Sequence, residues 1–107
     1  MKDIKNSRVT EERTLCLCCG WRFAQHTHHL ICGTSGRKFS DKYGLMIPLC
    51  ALCHNELHEN GVAETLSKML GQAIWEKNYY KDLYYQMNRD EDEARDRFRE
   101  LNTTSYL

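Results

Sequence analysis

The five histidines are the residues whose type and spacing point to chemistry, because all of them lie between His26 and His58. His54 and His58 are four residues apart, so on a helix they share one face and can bind one metal ion. His28 and His29 are adjacent on a predicted strand, where neighbouring side chains point to opposite sides. One of these two is expected to complete the metal site, while the other approaches the substrate from the flank.

This division of roles suits hydrolysis of a phosphodiester bond. A divalent cation contacts the scissile phosphate and stabilises the leaving oxygen. An imidazole that binds no metal takes a proton from the attacking water near neutral pH. The alternative is that the histidines cap helices or support a zinc knuckle, which is the commoner role of any single histidine. Four histidines at these spacings favour the catalytic interpretation.

Six cysteines lie within the same half of the chain, and the rest of the sequence has none. Four of them form two Cys-x-x-Cys pairs: Cys16, Cys19, Cys50 and Cys53. Two such pairs can wrap one tetrahedral zinc ion, which would contribute about 10 kcal/mol to folding. Cys18 is an alternative ligand in place of Cys16 or Cys19, and Cys32 is expected to be a small buried hydrophobe. Reduced cysteines without metal and a redox-active dithiol are the weaker alternatives.

Length and composition fit one small globular domain. The chain has 107 residues, of which 41% are hydrophobic and 28% charged, so its core is modest and a metal site would add stability. No apolar run approaches the roughly 20 residues that span a bilayer, and the polar start lacks the apolar stretch of a secretory signal. We therefore expect a cytoplasmic protein with no membrane partner.

The net charge is zero but unevenly distributed. Residues 1–50 carry eight basic and four acidic side chains, net +4, and residues 51–107 carry seven basic and eleven acidic side chains, net −4. The basic half is suited to meet phosphate. The charge of the whole chain gives no support for nucleic-acid binding, so bound cations would have to supply much of the attraction locally.

Short strands and helices are expected to position these residues. In chain order the predicted elements are a polar lead-in (1–14), a knuckle and strand (16–31), a loop (Gly33–Lys42), a second strand (Tyr43–Leu49), a helix (Cys50–Glu59), a long helix (Val62–Met87) and a charged helix (Asp90–Leu101). The loop is predicted from its two glycines and two serines. Gly61 ends the first helix, and Asn88 or Asp90 caps the last one. The expected fold class is α+β, in a single domain.

The two sites together resemble the HNH endonuclease family. The resemblance is carried by the runs His28-His29-Leu30-Ile31, Ile47-Pro48-Leu49-Cys50-Ala51-Leu52-Cys53-His54 and Leu57-His58. It covers about residues 16–60 and is closest to small phage and prophage members with zinc-knuckle cysteines. It implies a ββα-metal core, in which a β-hairpin and a helix grip one divalent cation. Residues 62–101 would then be a helical extension, and a phage-encoded protein would act in the host cytoplasm.

The resemblance also implies a role for each site residue. His28 takes the first metal-ligand place, His29 the general-base place, and His54 and His58 the helical metal-ligand places. The cysteine pairs take the structural zinc places. The implied cofactors are therefore one structural zinc and one catalytic divalent cation, namely magnesium, manganese or nickel. The implied activity is endonucleolytic cleavage of DNA that leaves 5′-phosphate and 3′-hydroxyl ends.

One family position has no counterpart here. The family's middle asparagine, which orients the base or builds the loop, should lie several residues before Cys50, where this chain has Tyr43-Gly44-Leu45. Asp41 and Ser40 are the candidates to replace it, because Asn55 lies on the wrong side of the cysteine pair. An imidazole without such a partner loses its tautomer and its orientation.

Other side chains have weaker patterns. Arg37 and Lys38, in the predicted loop, are candidate phosphate contacts that position DNA without reading its sequence, or else a solvated pair. Trp21, Arg22 and Phe23 are expected to pack in the core or hairpin rather than form a base-stacking platform.

DNA is the expected partner, and a phage packaging or recombination protein is the second. The alternative function is a non-catalytic zinc-binding module that docks DNA or such a protein. The missing asparagine and the neutral net charge favour this alternative.

Overall fold

The computed structural model describes residues 7–82 and 91–107. Within these ranges the chain forms one two-stranded sheet and four helices. In chain order the elements are β1 (His26–His29), α1 (Thr34–Tyr43), β2 (Met46–Leu49), α2 (Ala51–Glu59), α3 (Leu66–Asp82) and α4 (Glu91–Asn102). The predicted mixture of strands and helices is therefore confirmed at this coarse level.

The sheet pairs the two predicted strands. β1 and β2 are antiparallel, with His26 opposite Leu49 and His28 opposite Ile47. Because side chains alternate along a strand, His26 and His28 share one face of β1 and His29 lies on the other. The sheet thus separates the histidines into two groups.

A tight hairpin precedes β1 and carries the first cysteine pair. The Gly20 N–H donates to the Cys16 carbonyl at 2.9 Å, and Gly20 has a φ of 77°, which glycine adopts without a Cβ clash. The Leu17 N–H donates to the Pro48 carbonyl at 2.8 Å. This bond docks the hairpin on β2 and brings the first cysteine pair close to the second.

The prediction of a loop over Gly33–Lys42 is wrong, because nearly all of this segment belongs to α1. A Cβ at Gly36 would lie 2.7 Å from the Ile31 carbonyl oxygen, so glycine here permits close packing rather than a turn. Ser40 is buried, and its hydroxyl donates to the Ile31 carbonyl at 3.0 Å and accepts from the Ile31 N–H at 3.2 Å. Tertiary contacts therefore override the local loop signal.

The main hydrophobic core joins three helices to the segment that follows β1. Its buried members are Leu30, Ile31, Leu45, Trp75, Ala94 and Phe98. Phe39 of α1 has its ring centroid 5.3 Å from that of Phe98 in α4 and 5.8 Å from that of Trp75 in α3. Because Leu30 and Ile31 follow β1 directly, this core also fixes the strand that carries the histidines.

The second half of the described chain is helical, as predicted. α2 matches the predicted helix, and Gly61 follows its end with a φ of 76°. α3 begins at Leu66, later than the predicted Val62, because the chain makes turns between them. The predicted end of this helix at Met87 and the N-cap of the next lie outside the described residues. No helix in the described ranges is long and apolar enough to cross a membrane.

Aromatic side chains near the two ends of the described chain lie in different environments. Trp21 and Phe23, predicted to pack in the core or the hairpin, are 68% and 72% exposed, so they lie on the hairpin and outside the core. The Arg22 guanidinium stacks on the Trp21 ring, 3.9 Å from its centroid. In the tail, which has no helix or strand, Tyr106 packs against the main core and its N–H donates to Gln72 Oε1 at 2.6 Å.

Candidate metal centres and active site

Four cysteine side chains meet where the hairpin contacts the start of α2. Their sulfurs all lie within 4.8 Å of one another: Cys16, Cys19, Cys50 and Cys53. Cys16 and Cys50 are each 1% exposed, and the Cys53 N–H donates to the Cys50 sulfur at 3.5 Å. Cys18 is exposed and outside the group. The two Cys-x-x-Cys pairs, without Cys18, are therefore close enough to hold one metal ion such as zinc.

Backbone N–H groups favour the thiolate form of Cys16 and Cys19. Backbone N–H groups, that of Trp21 foremost, lower the pKa of Cys19 to about 6. Burial raises the pKa of Cys16, but backbone donors around it outweigh burial and leave the pKa lowered. Hydrogen bonding to Cys50 raises the pKa of Cys53. Cys53 therefore holds its proton more tightly than Cys16 and Cys19 do, and a metal ion bound by all four sulfurs would displace that proton.

Three histidines converge beside the sheet, His28 from β1 and His54 and His58 from α2. His54 Nε2 lies 3.3 Å from His28 Nδ1 and 3.2 Å from His58 Nε2. Nitrogens that bind a tetrahedral ion at about 2.0 Å are about 3.3 Å apart. The two distances therefore match the ligand spacing of a single ion.

The local environment favours the neutral form of the His28 and His54 rings. Burial lowers the pKa of His28 to about 3, and the nearby His54 and His58 add to the effect. Burial also lowers the pKa of His54, with His58 and His26 contributing. A neutral imidazole has a lone pair to offer, so these shifts favour the form that binds metal.

The remaining ring nitrogens of His28 and His54 are also engaged. His28 Nε2 lies 2.8 Å from Ser67 Oγ, and His54 Nδ1 lies 2.7 Å from His26 Nδ1. Neither partner was predicted from the sequence. Strand alternation would have found His26, because it places His26 on the same face as His28. No comparable signal marks Ser67, which is 39 residues from His28 in the sequence.

His29 lies on the other face of β1 and has a carboxylate partner. It is 8% exposed, and its Nε2 is 2.7 Å from Asp41 Oδ1. Ser40, the other candidate to replace the family's asparagine, binds the backbone of Ile31 instead. Asp41 is therefore the one of the two candidates that contacts His29, and it does so from α1.

Four of the five histidines line one open cavity of about 320 Å³. Its lining residues are Thr27, His28, His29, Cys32, Gly33, Arg37, His54 and His58. Arg37 is the one arginine or lysine among the described residues that line it. Lys38 lines a different cavity, beside Lys42 and Tyr106. The structure thus separates the two basic residues that the sequence grouped together.

Cys32 lies at this cavity but is not the fully buried hydrophobe that was expected. It is half-buried, and its thiol donates to Glu64 Oε1 at 3.1 Å and to the Ala63 carbonyl at 3.5 Å. Burial, followed by the hydrogen bond to Glu64, raises the pKa of Cys32. It is therefore a protonated thiol at neutral pH.

Comparison with known proteins found no matching family model, no matching curated protein and no matching solved structure. The resemblance to HNH endonucleases therefore depends on the residues and spacing of this chain alone.

Proposed function

We propose that this protein is a metal-dependent DNA endonuclease of the HNH type, with β1, β2 and α2 as its ββα-metal core. The observation that carries the proposal is the shared cavity. Three convergent imidazoles and a fourth histidine held by a carboxylate line the same open space. This is the combination that cation-assisted phosphodiester hydrolysis requires.

His28, His54 and His58 would hold the divalent cation. When bound, the cation supplies charge that stabilises the phosphate and the leaving oxygen. Three imidazoles suit zinc or nickel better than magnesium, which prefers oxygen ligands. With three protein ligands, a tetrahedral ion keeps one position open toward the cavity.

His29 would be the general base. A carboxylate only accepts hydrogen bonds, so the 2.7 Å contact with Asp41 places the imidazole proton on Nε2. The lone pair on Nδ1 is then available to take a proton from water. Asp41 therefore supplies the orienting function that the family gives to an asparagine, and the products would carry 5′-phosphate and 3′-hydroxyl ends.

Arg37 would position the DNA backbone. Its side chain lines the cavity together with His28 and His29. A guanidinium can bind two phosphate oxygens at once, which favours binding of a negatively charged substrate in a chain whose net charge is zero. The cysteine-bound zinc would have a structural role, because four sulfurs leave no position open for substrate.

The second candidate function is a non-catalytic zinc-binding module that docks DNA or a phage packaging or recombination protein. The observation that favours it is the exposure of Trp21 and Phe23, at 68% and 72%. Exposed aromatic side chains beside a zinc knuckle are typical of docking surfaces.

Cleavage of supercoiled plasmid DNA by protein that carries one zinc ion per chain, in the cysteine site, tests the proposal. We expect nicking when nickel, manganese or magnesium is added, none without added cation, and a loss of about 10²–10⁴-fold in rate in His29→Ala. His29→Ala should still bind zinc and nickel, because His29 ligates neither ion. A zinc-loaded protein that cuts no DNA with any cation would support the docking module instead.

A further inference from the structure

We propose that His26 and Ser67 are positioning residues that fix the tautomers of two metal-binding histidines, so that a lone pair of each ring faces the cation. The proposal rests on the histidine metal site proposed above, but it does not depend on whether that site cleaves DNA. Neither residue lines the cavity.

The contact between His26 and His54 is a hydrogen bond rather than part of the ligand set. Their Nδ1 atoms are 2.7 Å apart, well below the roughly 3.3 Å that separates two nitrogens on one tetrahedral ion. Two nitrogens this close must share a proton, because a neutral imidazole has one donor and one acceptor.

The direction of this bond follows from the other side of the His54 ring. His54 Nε2 faces His28 Nδ1 and His58 Nε2, at 3.3 Å and 3.2 Å. Nε2 can bind a cation only through its lone pair and so carries no proton. The His54 proton therefore lies on Nδ1 and is donated to His26. His26 must then accept at Nδ1 and carry its own proton on Nε2.

Ser67 fixes the tautomer of His28, and the hydrogen bonds of its hydroxyl show the direction. Ser67 Oγ lies 2.6 Å from the Leu30 carbonyl oxygen and 2.8 Å from His28 Nε2. A carbonyl only accepts, so the single hydroxyl proton goes to Leu30. Ser67 therefore accepts from the His28 Nε2–H, which leaves the Nδ1 lone pair facing His54. At 1% and 5% exposure, His28 and Ser67 form this bond out of contact with bulk water.

The two positioning residues come from different parts of the chain. His26 begins β1, and Ser67 lies in the first turn of α3. The helical extension thus takes part in the metal site through Ser67, although none of its described residues lines the cavity.

Paired variants separate positioning from simple packing. His26→Phe keeps a ring of similar size but removes the acceptor, whereas His26→Asn retains an oxygen near the position of Nδ1. Ser67→Ala removes the hydroxyl, whereas Ser67→Thr retains it. Zinc content and thermal unfolding show that each variant is folded before its second metal site is examined.

Calorimetric titration with nickel, of proteins that carry one zinc ion per chain in the cysteine site, measures the histidine site. We expect nickel affinity to fall about 10–100-fold in His26→Phe and Ser67→Ala, the effect typical of losing an outer partner of a ligand. Affinity in His26→Asn and Ser67→Thr should stay within about threefold of the parent protein. Equal affinities in folded His26→Phe, folded Ser67→Ala and parent protein would overturn the proposal, as would a parent protein that binds no nickel.

Long-range ¹H–¹⁵N NMR of the imidazole rings provides a readout that packing alone would not change. We expect the proton on Nδ1 of His54 and on Nε2 of both His26 and His28. A proton on Nε2 of His54 in the nickel-free protein at neutral pH would overturn the proposed direction of the bond. Nickel binding with the expected variant pattern but no DNA cleavage would refute the nuclease and leave this inference standing.

Discussion

The cysteine and histidine centres use the same two segments of the chain but differ in how complete their ligand sets are. Each takes ligands from the region before or within β1 and from α2 together with its N-cap Cys50. The cysteine centre offers four sulfurs, two of them 1% exposed. The histidine centre offers three nitrogens beside a cavity of about 320 Å³. A filled tetrahedron is typical of structural zinc, and an open one of catalysis. The difference fits a structural role for the cysteine centre and the catalytic role proposed for the histidine centre.

Loss of a cysteine ligand should have the largest effect. We expect Cys50→Ala to prevent stable folding, because the metal contributes on the order of 10 kcal/mol and Cys50 also caps α2. Circular dichroism and zinc content measure this. Cys18→Ala is the matched control, since Cys18 is exposed and outside the sulfur group. A folded Cys50→Ala protein would show that this centre is not what stabilises the fold.

Loss of a histidine ligand should leave the fold intact. His58 is exposed, so we expect His58→Ala to change the free energy of unfolding by less than about 0.5 kcal/mol. Nickel affinity should fall by more than the roughly 100-fold that an outer partner can cost, and DNA cleavage should be lost. Titration calorimetry and plasmid nicking test this beside Glu59→Ala. Unchanged nickel affinity in His58→Ala would remove His58 from the metal site.

Loss of the Asp41 carboxylate should impair the general base and leave metal binding unchanged. We expect Asp41→Ala to slow cleavage about 10–100-fold by releasing the His29 ring, with nickel affinity unchanged because Asp41 contacts no ligand nitrogen. Initial nicking rates under nickel saturation measure the effect, and Lys42→Ala is the neighbouring control. If Asp41→Ala weakened nickel binding as much as cleavage, its role would lie with the metal site.

The smallest effect should come from the two basic residues of α1. We expect Arg37→Ala to raise KM several-fold and to reduce the slope of log K against log salt by about 0.9, the value for one lost phosphate contact. Lys38→Ala should change neither, because Lys38 lines a different cavity. Fluorescence anisotropy with duplex DNA over a range of salt concentrations measures both slopes. Equal slopes for the two variants would show that Arg37 makes no contact with a DNA phosphate.

Much of the candidate site could be predicted because its signals are local. Cys-x-x-Cys pairs and a four-residue histidine spacing depend on turn and helix geometry alone, so the sequence identified both ligand groups that the structure brings together. The second strand was predicted from a short apolar run, and β2 lies within the expected Tyr43–Leu49. The catalytic use of these groups stays a prediction.

The predictions that failed concerned residues whose structure depends on contacts between segments distant in the sequence. The segment that became α1 looked like a loop because Gly36 and Ser40 are common in turns, whereas both residues make close contacts with Ile31. Trp21 and Phe23 were predicted to pack in the core or the hairpin, and they lie on the outside of the hairpin. The type of a side chain indicates whether it favours burial, but the fold determines whether other residues are there to bury it.

α2 sets a strict spacing between the two centres. Cys53 and His54 are consecutive residues of this one helix. Each residue of an α-helix advances the chain by about 100° around the axis. One residue inserted after Cys53 would therefore turn His54 and His58 about a quarter of the way around the helix, away from β1, although every ligand would still be in the sequence. The residues of α2 that bind no metal should thus tolerate substitution far better than the helix tolerates a change of length between Cys53 and His54.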